Sequence, residues 1–379
     1  MKNTSLLIVL LSALLGSCEG TYEEKTASGL ERKNFQSHIN GKKTDLFVLK
    51  NNSGAEVCIT NYGGRVVSLM VPGRDEALHD VVLGFDNIQE YVDKPSSFGA
   101  TVGRFANRIA YGEFVLDGDT ISLDLNNGAH TIHGGAAGWQ NQVFDAEQPS
   151  DSLLVLRYVS RDGESGFPGE VNVKVTFTLS EPHALKIDYF AETDKKTVIN
   201  MTNHSFFNLS GTPENTVLDH VLLVHADAYT PLDSQLITTG VLEKVANTPF
   251  DFTNAVSIGA ALARDRSHEQ LQLAQGFDHN YVLQTKGKLE IPAARVYAPT
   301  TGILLNIYTT EPGIQVYSGN MLDGSRRGKK GIDYHKQTGL CLEPQHYPDS
   351  PNKPAWPSTV LEPGEKFVSS SIYRFSIKK

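Results

Sequence analysis

From about residue 36 onward, apolar side chains recur with a period of two. Val171, Val173, Val175, Phe177 and Leu179 alternate with Asn172, Lys174, Thr176 and Thr178, which describes a strand with one buried and one wet face. Similar segments return at residues 47–49, 56–60, 153–158, 185–189, 303–308 and 366–377. Between the apolar arms of residues 114–121 stands Asp117-Gly118, a hairpin signal because Gly tolerates positive φ. Helical stretches are few and short, with residues 87–92 and 257–263 the better candidates. Strands joined by turns rather than by long helices predict an all-β fold, a large antiparallel β-sandwich. No Gly/Ser or Pro linker and no fixed-period repeat divides residues 36–379, so one domain is expected there.

The first residues follow another pattern. Lys2 precedes a ten-residue apolar-rich run at 6–15. As a helix it would reach about 15 Å of a roughly 30 Å hydrocarbon core, too short to span. A positive start, a short apolar stretch and small residues read as an export signal over 1–17. Leu15-Gly16-Ser17-Cys18 resembles the lipobox of bacterial lipoproteins, which implies lipid on Cys18, a polar tether over 18–35, and an exported, membrane-anchored protein of the periplasm or cell envelope.

Composition narrows the classes. Among 379 residues, 40% are hydrophobic and only three are Cys, so neither a disordered chain nor a disulfide scaffold is described. Cys58 and Cys341 each sit in an apolar-rich segment and read as buried thiols. A net charge of −9 argues against nucleic acid, which needs clustered cations. The one basic cluster, residues 326–330, reads as a solvated loop.

There is no GxxxxGK[ST], HExxH, GxSxG or helix-opening GxGxxG. Polar residues instead crowd at strand ends: Asn107-Arg108, His133-Gly134-Gly135, Asn203-His204-Ser205-Phe206, Asp278-His279-Asn280, Gly313-Ile314-Gln315 and Leu342-Glu343-Pro344-Gln345. Each taken alone has an ordinary structural reading, as turn chemistry, an ion pair or a hydrogen-bonded histidine. Glu343 stands out, because alternation puts Leu340 and Leu342 on one face and Cys341 with Glu343 on the other. The metal reading of His130-x-x-His133 is weak, since that spacing splits the two rings across a strand. As a set, one His, two carboxylates, Arg, Gln and Asn suit sugar hydroxyls, which donate and accept at once. Trp139 is a candidate platform for the C–H face of a sugar ring.

These segments, with Gly103 to Ile109, Leu116-Asp117-Gly118 and residues 248–252, resemble the aldose 1-epimerase (galactose mutarotase) family over residues 51–379. The resemblance implies a β-supersandwich and interconversion of the α and β anomers of free aldoses such as galactose and glucose. It casts His204 as proton donor and Glu343 as proton acceptor, with Asn107, Arg108, His133, Ser205, Phe206, Asp278 and Gln315 at the sugar. The chain departs from the family pattern at Phe206, where Tyr is common, at Thr238, where Pro is common, and at Phe144, where Trp is common.

Ring opening takes a proton from the C1 hydroxyl and gives one to the ring oxygen. Both return on closure, so the mechanism consumes no cofactor. A bound calcium is left open, with no EF-hand-like carboxylate loop to mark it. A carboxylate, with Asp278 the candidate, is expected to raise the pKa of His204. A monomer is expected. Two other readings stay open: a glycoside hydrolase pairing Asp278 with Glu343, and a sugar-binding surface lipoprotein without chemistry.

Overall fold

The structure, a computed structural model, describes residues 25–378. The signal expected over 1–17 and the lipidation site expected at Cys18 lie outside the described residues. Residues 26–35, expected as tether, are packed instead: Leu30 and Phe35 are buried in a core cluster, and Ala27 N donates to Glu56 Oε1 at 2.6 Å. The two apolar side chains explain the difference, since burying each returns about 1.5–3 kcal/mol.

Two antiparallel sheets dominate. The larger runs, in spatial order, through Asp145–Ser150, Leu153–Ser160, Val171–Ser180, Ala184–Thr193, Phe367–Ile377, Ile303–Thr309, Ala294–Tyr297, Val221–Val224 and Val256–Ser257. The second has six strands, and a third, of four, is built from residues 46–80. The alternation read at 171–179 holds: Val171, Val173, Val175, Phe177 and Leu179 are buried, while Asn172 and Lys174 are exposed. They share one core with Tyr281, Ile314, Val316, Leu340 and Leu342 of the six-stranded sheet. The two large sheets thus bury their apolar faces against a common core, which is the predicted sandwich.

Local signals also hold. Asp117 (φ 53°) and Gly118 (φ 92°) turn the hairpin between Glu113–Leu116 and Asp119–Ser122. Asn87 caps helix Ile88–Asp93 by accepting from Glu90 N, and Ser257 caps Ile258–Arg264 by accepting from Ala260 N. Cys58 and Cys341 are free, buried thiols. The basic cluster is less solvated than its composition implies. Lys329 is buried, with Nζ donating to Val67 O at 2.7 Å and Asp80 Oδ2 at 2.6 Å.

Six strands position the polar motifs: β1 (Ala100–Val102), β2 (Thr202–His204), β3 (Phe206–Phe207), β4 (Asp278–Leu283), β5 (Gly313–Tyr317) and β6 (Leu340–Gln345). β2 pairs with β1. In the six-stranded sheet β6 lies between β3 and β5, and β5 between β6 and β4. Because Leu340, Leu342, Ile314, Val316 and Tyr281 point into the core, their neighbours Cys341, Glu343, Gln315 and Asn280 occupy the opposite face.

Candidate active site

Register brings the polar face together. Asp278, Tyr317 and Cys341 stand opposite one another across β4, β5 and β6, and Asn280, Gln315 and Glu343 form the next row. A cleft of about 340 Å³ opens over this face, at the small end of the roughly 300–1,000 Å³ usual for ligand sites. Asn107, Arg108, His133, His204, Phe206, Asp278 and Glu343 line it.

His204 and Glu343 meet there although 139 positions separate them: Nε2 lies 3.6 Å from Glu343 Oε1. The other ring nitrogen, Nδ1, lies 3.5 Å from Cys341 Sγ. Phe206 stacks on the His204 ring, with centroids 5.1 Å apart and planes at 22°. Burial governs the charge states. It pushes the imidazole of His204 down to about 4 and, with the neighbouring Asp278 charge, pushes the Glu343 carboxyl well up. The expected rise of His204 beside a carboxylate is therefore overturned. Desolvation outweighs attraction, because a carboxyl that is itself buried tends to the uncharged form and attracts little.

Asn107 and His133 shape one wall. Asn107 adopts φ 63°, a conformation Asn tolerates, and its backbone N–H donates to His133 Nδ1 at 3.1 Å. That bond leaves His133 with its proton on Nε2. Burial, with the His204 and Arg108 charges, keeps the ring neutral. His133 and His204 meet edge to face at 5.2 Å. Burial raises the Asp278 carboxyl, while Arg108 and Gln315 oppose the shift. Arg108 Nε donates to Asn127 Oδ1 at 3.0 Å.

Three expected residues stand elsewhere. Ser205 is buried, with its N–H and Oγ–H both donating to Asn203 Oδ1, so it shapes the turn between β2 and β3 and is absent from the cleft lining. Gln315 is likewise absent from the lining; its Nε2 donates to Asp278 Oδ1 at 2.7 Å, so it orients a carboxyl that lines the cleft. Trp139 is no platform. It is wholly buried against Gly103, where a Cβ would come within 2.0 Å of the indole.

The sequence reading missed Ser96, Phe98, Tyr317, Met321 and Arg326, which also line the cleft. Arg326 carried a readable sign, a cation in a Gly-bearing loop, but its partners are carbonyls of Lys94 and Pro95, more than 230 positions away. No local pattern predicts such a contact. His204, Cys341 and Glu343 form one group of metal-ligand type among the described residues, with donor atoms within 4.8 Å. However, opposite edges of the imidazole face the thiol and the carboxyl, and burial holds the thiol protonated. This arrangement suits proton transfer better than chelation.

Known proteins share the fold. The family model described as Aldose 1-epimerase matches residues 45–374. The galactose mutarotase of Bos taurus is 40% identical over 321 residues, covering 85% of this chain and 91% of that protein. The aldose 1-epimerase of Escherichia coli (strain K12) is 36% identical over 338 residues, covering 88% and 96%. The structure of a GalM/aldose epimerase homologue from C. elegans superposes with a TM-score of 0.82 at 28% identity, covering 89% of this chain and all of that one.

Proposed function

The chain belongs to the aldose 1-epimerase family, and from that premise we propose that His204 and Glu343 open and reclose the ring of a free aldose. The activity itself, interconversion of the α and β anomers of aldoses by an isomerase, follows from membership. The proposal concerns which groups perform it. It rests on one observation: His204 Nε2 and Glu343 Oε1 are 3.6 Å apart in a cleft that Asn107, Arg108, His133 and Asp278 also line.

Glu343 takes the C1 hydroxyl proton while His204 gives a proton to the ring oxygen. The C1–C2 bond turns, closure returns both protons, and no cofactor is consumed. Only one proton is needed on the pair. A carboxyl beside a neutral imidazole holds as many protons as a carboxylate beside an imidazolium. Sugar hydroxyls that hydrogen-bond Glu343 favour its charged form, and so move the pair toward the arrangement in which Glu343 is base and His204 acid. Asn107, Arg108, His133 and Asp278 hold the hydroxyls, with Gln315 fixing Asp278. Phe206 supplies the apolar wall that Trp139 does not. Galactose and glucose are the proposed substrates, in line with relatives named for galactose.

General acid and general base each contribute on the order of 10²- to 10⁴-fold. Glu343→Gln and His204→Asn should therefore bind sugar yet leave fresh α-galactose relaxing at the buffer rate by polarimetry. Wild-type rates in either variant would remove the assignment.

We further propose that the enzyme acts as a monomer outside the cytoplasm, anchored through lipid on Cys18. The apolar run at 6–15 and Leu15-Gly16-Ser17-Cys18 support this reading.

A further inference from the structure

Asn280 and Gln345 belong to motifs of the polar face, but neither lines the cleft. Both are almost wholly buried. All four of their side-chain nitrogen and oxygen atoms lack a hydrogen-bond partner among the described residues, as do Gln315 Oε1 and Glu343 Oε2. These six atoms are neighbours by register. Asn280, Gln315 and Glu343 form one row, and Gln345 lies two residues beyond Glu343, opposite Gly313. A Cβ at Gly313 would come within 2.5 Å of Asn280 Oδ1 and 2.9 Å of the Tyr347 ring. The glycine thus gives the Asn280 carboxamide room to lie over β5, on the side of Gln345.

So many buried polar atoms on one face point to a ligand, since each unmet group carries its full desolvation cost. The set selects the ligand's chemistry. Two NH₂ groups disfavour a cation, a carboxyl disfavours an anion, and mixed donors and acceptors fit water, which needs two to four polar partners.

We propose that Asn280, Gln315 and Gln345 enclose a water-filled vault behind Glu343, whose ordered water donates to Glu343 Oε2 and keeps Oε1 turned toward His204 and the sugar. Asn280 and Gln345 are then positioning residues that act through water. Their catalytic effect rests on Glu343 being the base. Other titratable groups around Glu343 are His204 from β2, Asp278 from β4, Tyr317 from β5 and Cys341 from β6, with Tyr373 beyond the core face.

The vault is tested by a high-resolution crystal structure of the unaltered enzyme, which should show solvent peaks within hydrogen-bond distance of Asn280, Gln345 and Glu343 Oε2. Carboxamides of Asn280 and Gln345 bonded directly to each other, with no solvent, would overturn it. Its effect is tested with Asn280→Leu and Gln345→Leu. Loss of the donated bond disfavours the carboxylate, so the alkaline limb of kcat/KM should move up by about one pH unit and kcat should fall about tenfold, with KM for galactose changed less than about twofold. An unmoved limb in folded leucine variants refutes the coupling. Asn280→Ala leaves space for another water. It should keep the wild-type limb and gain a solvent peak, and a shifted limb there also counts against the proposal. Normal turnover by Glu343→Gln would remove the base assignment while leaving the solvent peaks in place, so the two ideas fail separately.

Discussion

In the proposed mechanism two side chains carry the chemistry, and their surroundings alter both. In water an imidazole titrates near 6.5 and a carboxyl near 4.3. Burial drives His204 down to about 4 and Glu343 up, so the buried pair favours the uncharged form of each group. Below about pH 4 both groups are protonated and no base remains. Above the raised value of Glu343 neither holds a proton and no acid remains. The pH profile of kcat/KM for α-galactose should therefore show its acid limb near 4 rather than near the 6.5 of an unperturbed imidazole. A limb near 6.5 that disappears in His204→Asn would show that the ring is solvated after all. His204 and Glu343 were legible as residues, since their motifs are distinctive. Their charge states were not, because desolvation depends on everything packed around them.

Strands and turns were the most readable level. Alternation located Val171–Ser180, and Asp117-Gly118 located its hairpin, because side-chain period and positive φ are local properties. The packing between elements was not readable in the same way. Trp139 looked like a sugar platform until the close approach of Gly103 placed it in the core. That contact gives a stability prediction. Gly103→Ala places a methyl 2.0 Å from the indole, and overpacking of this kind costs about 1–3 kcal/mol or more. The urea midpoint should fall without a change in m-value. A midpoint equal to wild type would mean that the indole yields freely. Ser205 teaches the converse lesson: adjacent to His204 in the chain, it turns to Asn203 and leaves the cleft.

For the whole molecule, the proposed lipid anchor at Cys18 would set where the enzyme works, while residues from Thr26 onward are already part of the packed body. Expressed in full in a bacterium that exports and lipidates proteins, the wild type should sediment with membranes and Cys18→Ala should stay in the soluble fraction with unaltered mutarotation. Equal partition of the two would end the lipid-anchor reading. The sequence by itself determined the all-β class, the main strands, the identity of the acid and base candidates and the sugar-like chemistry around them, because periodicity, turn residues and motif composition are written along the chain. Only the tertiary structure decided that β2 and β6 bring His204 within 3.6 Å of Glu343, that Gln315 serves Asp278, that Arg326 joins the cleft lining and that Asn280 stands in one register row with Glu343. Those contacts join residues far apart in the chain, and burial of a charge is a property of the assembled surroundings rather than of any segment.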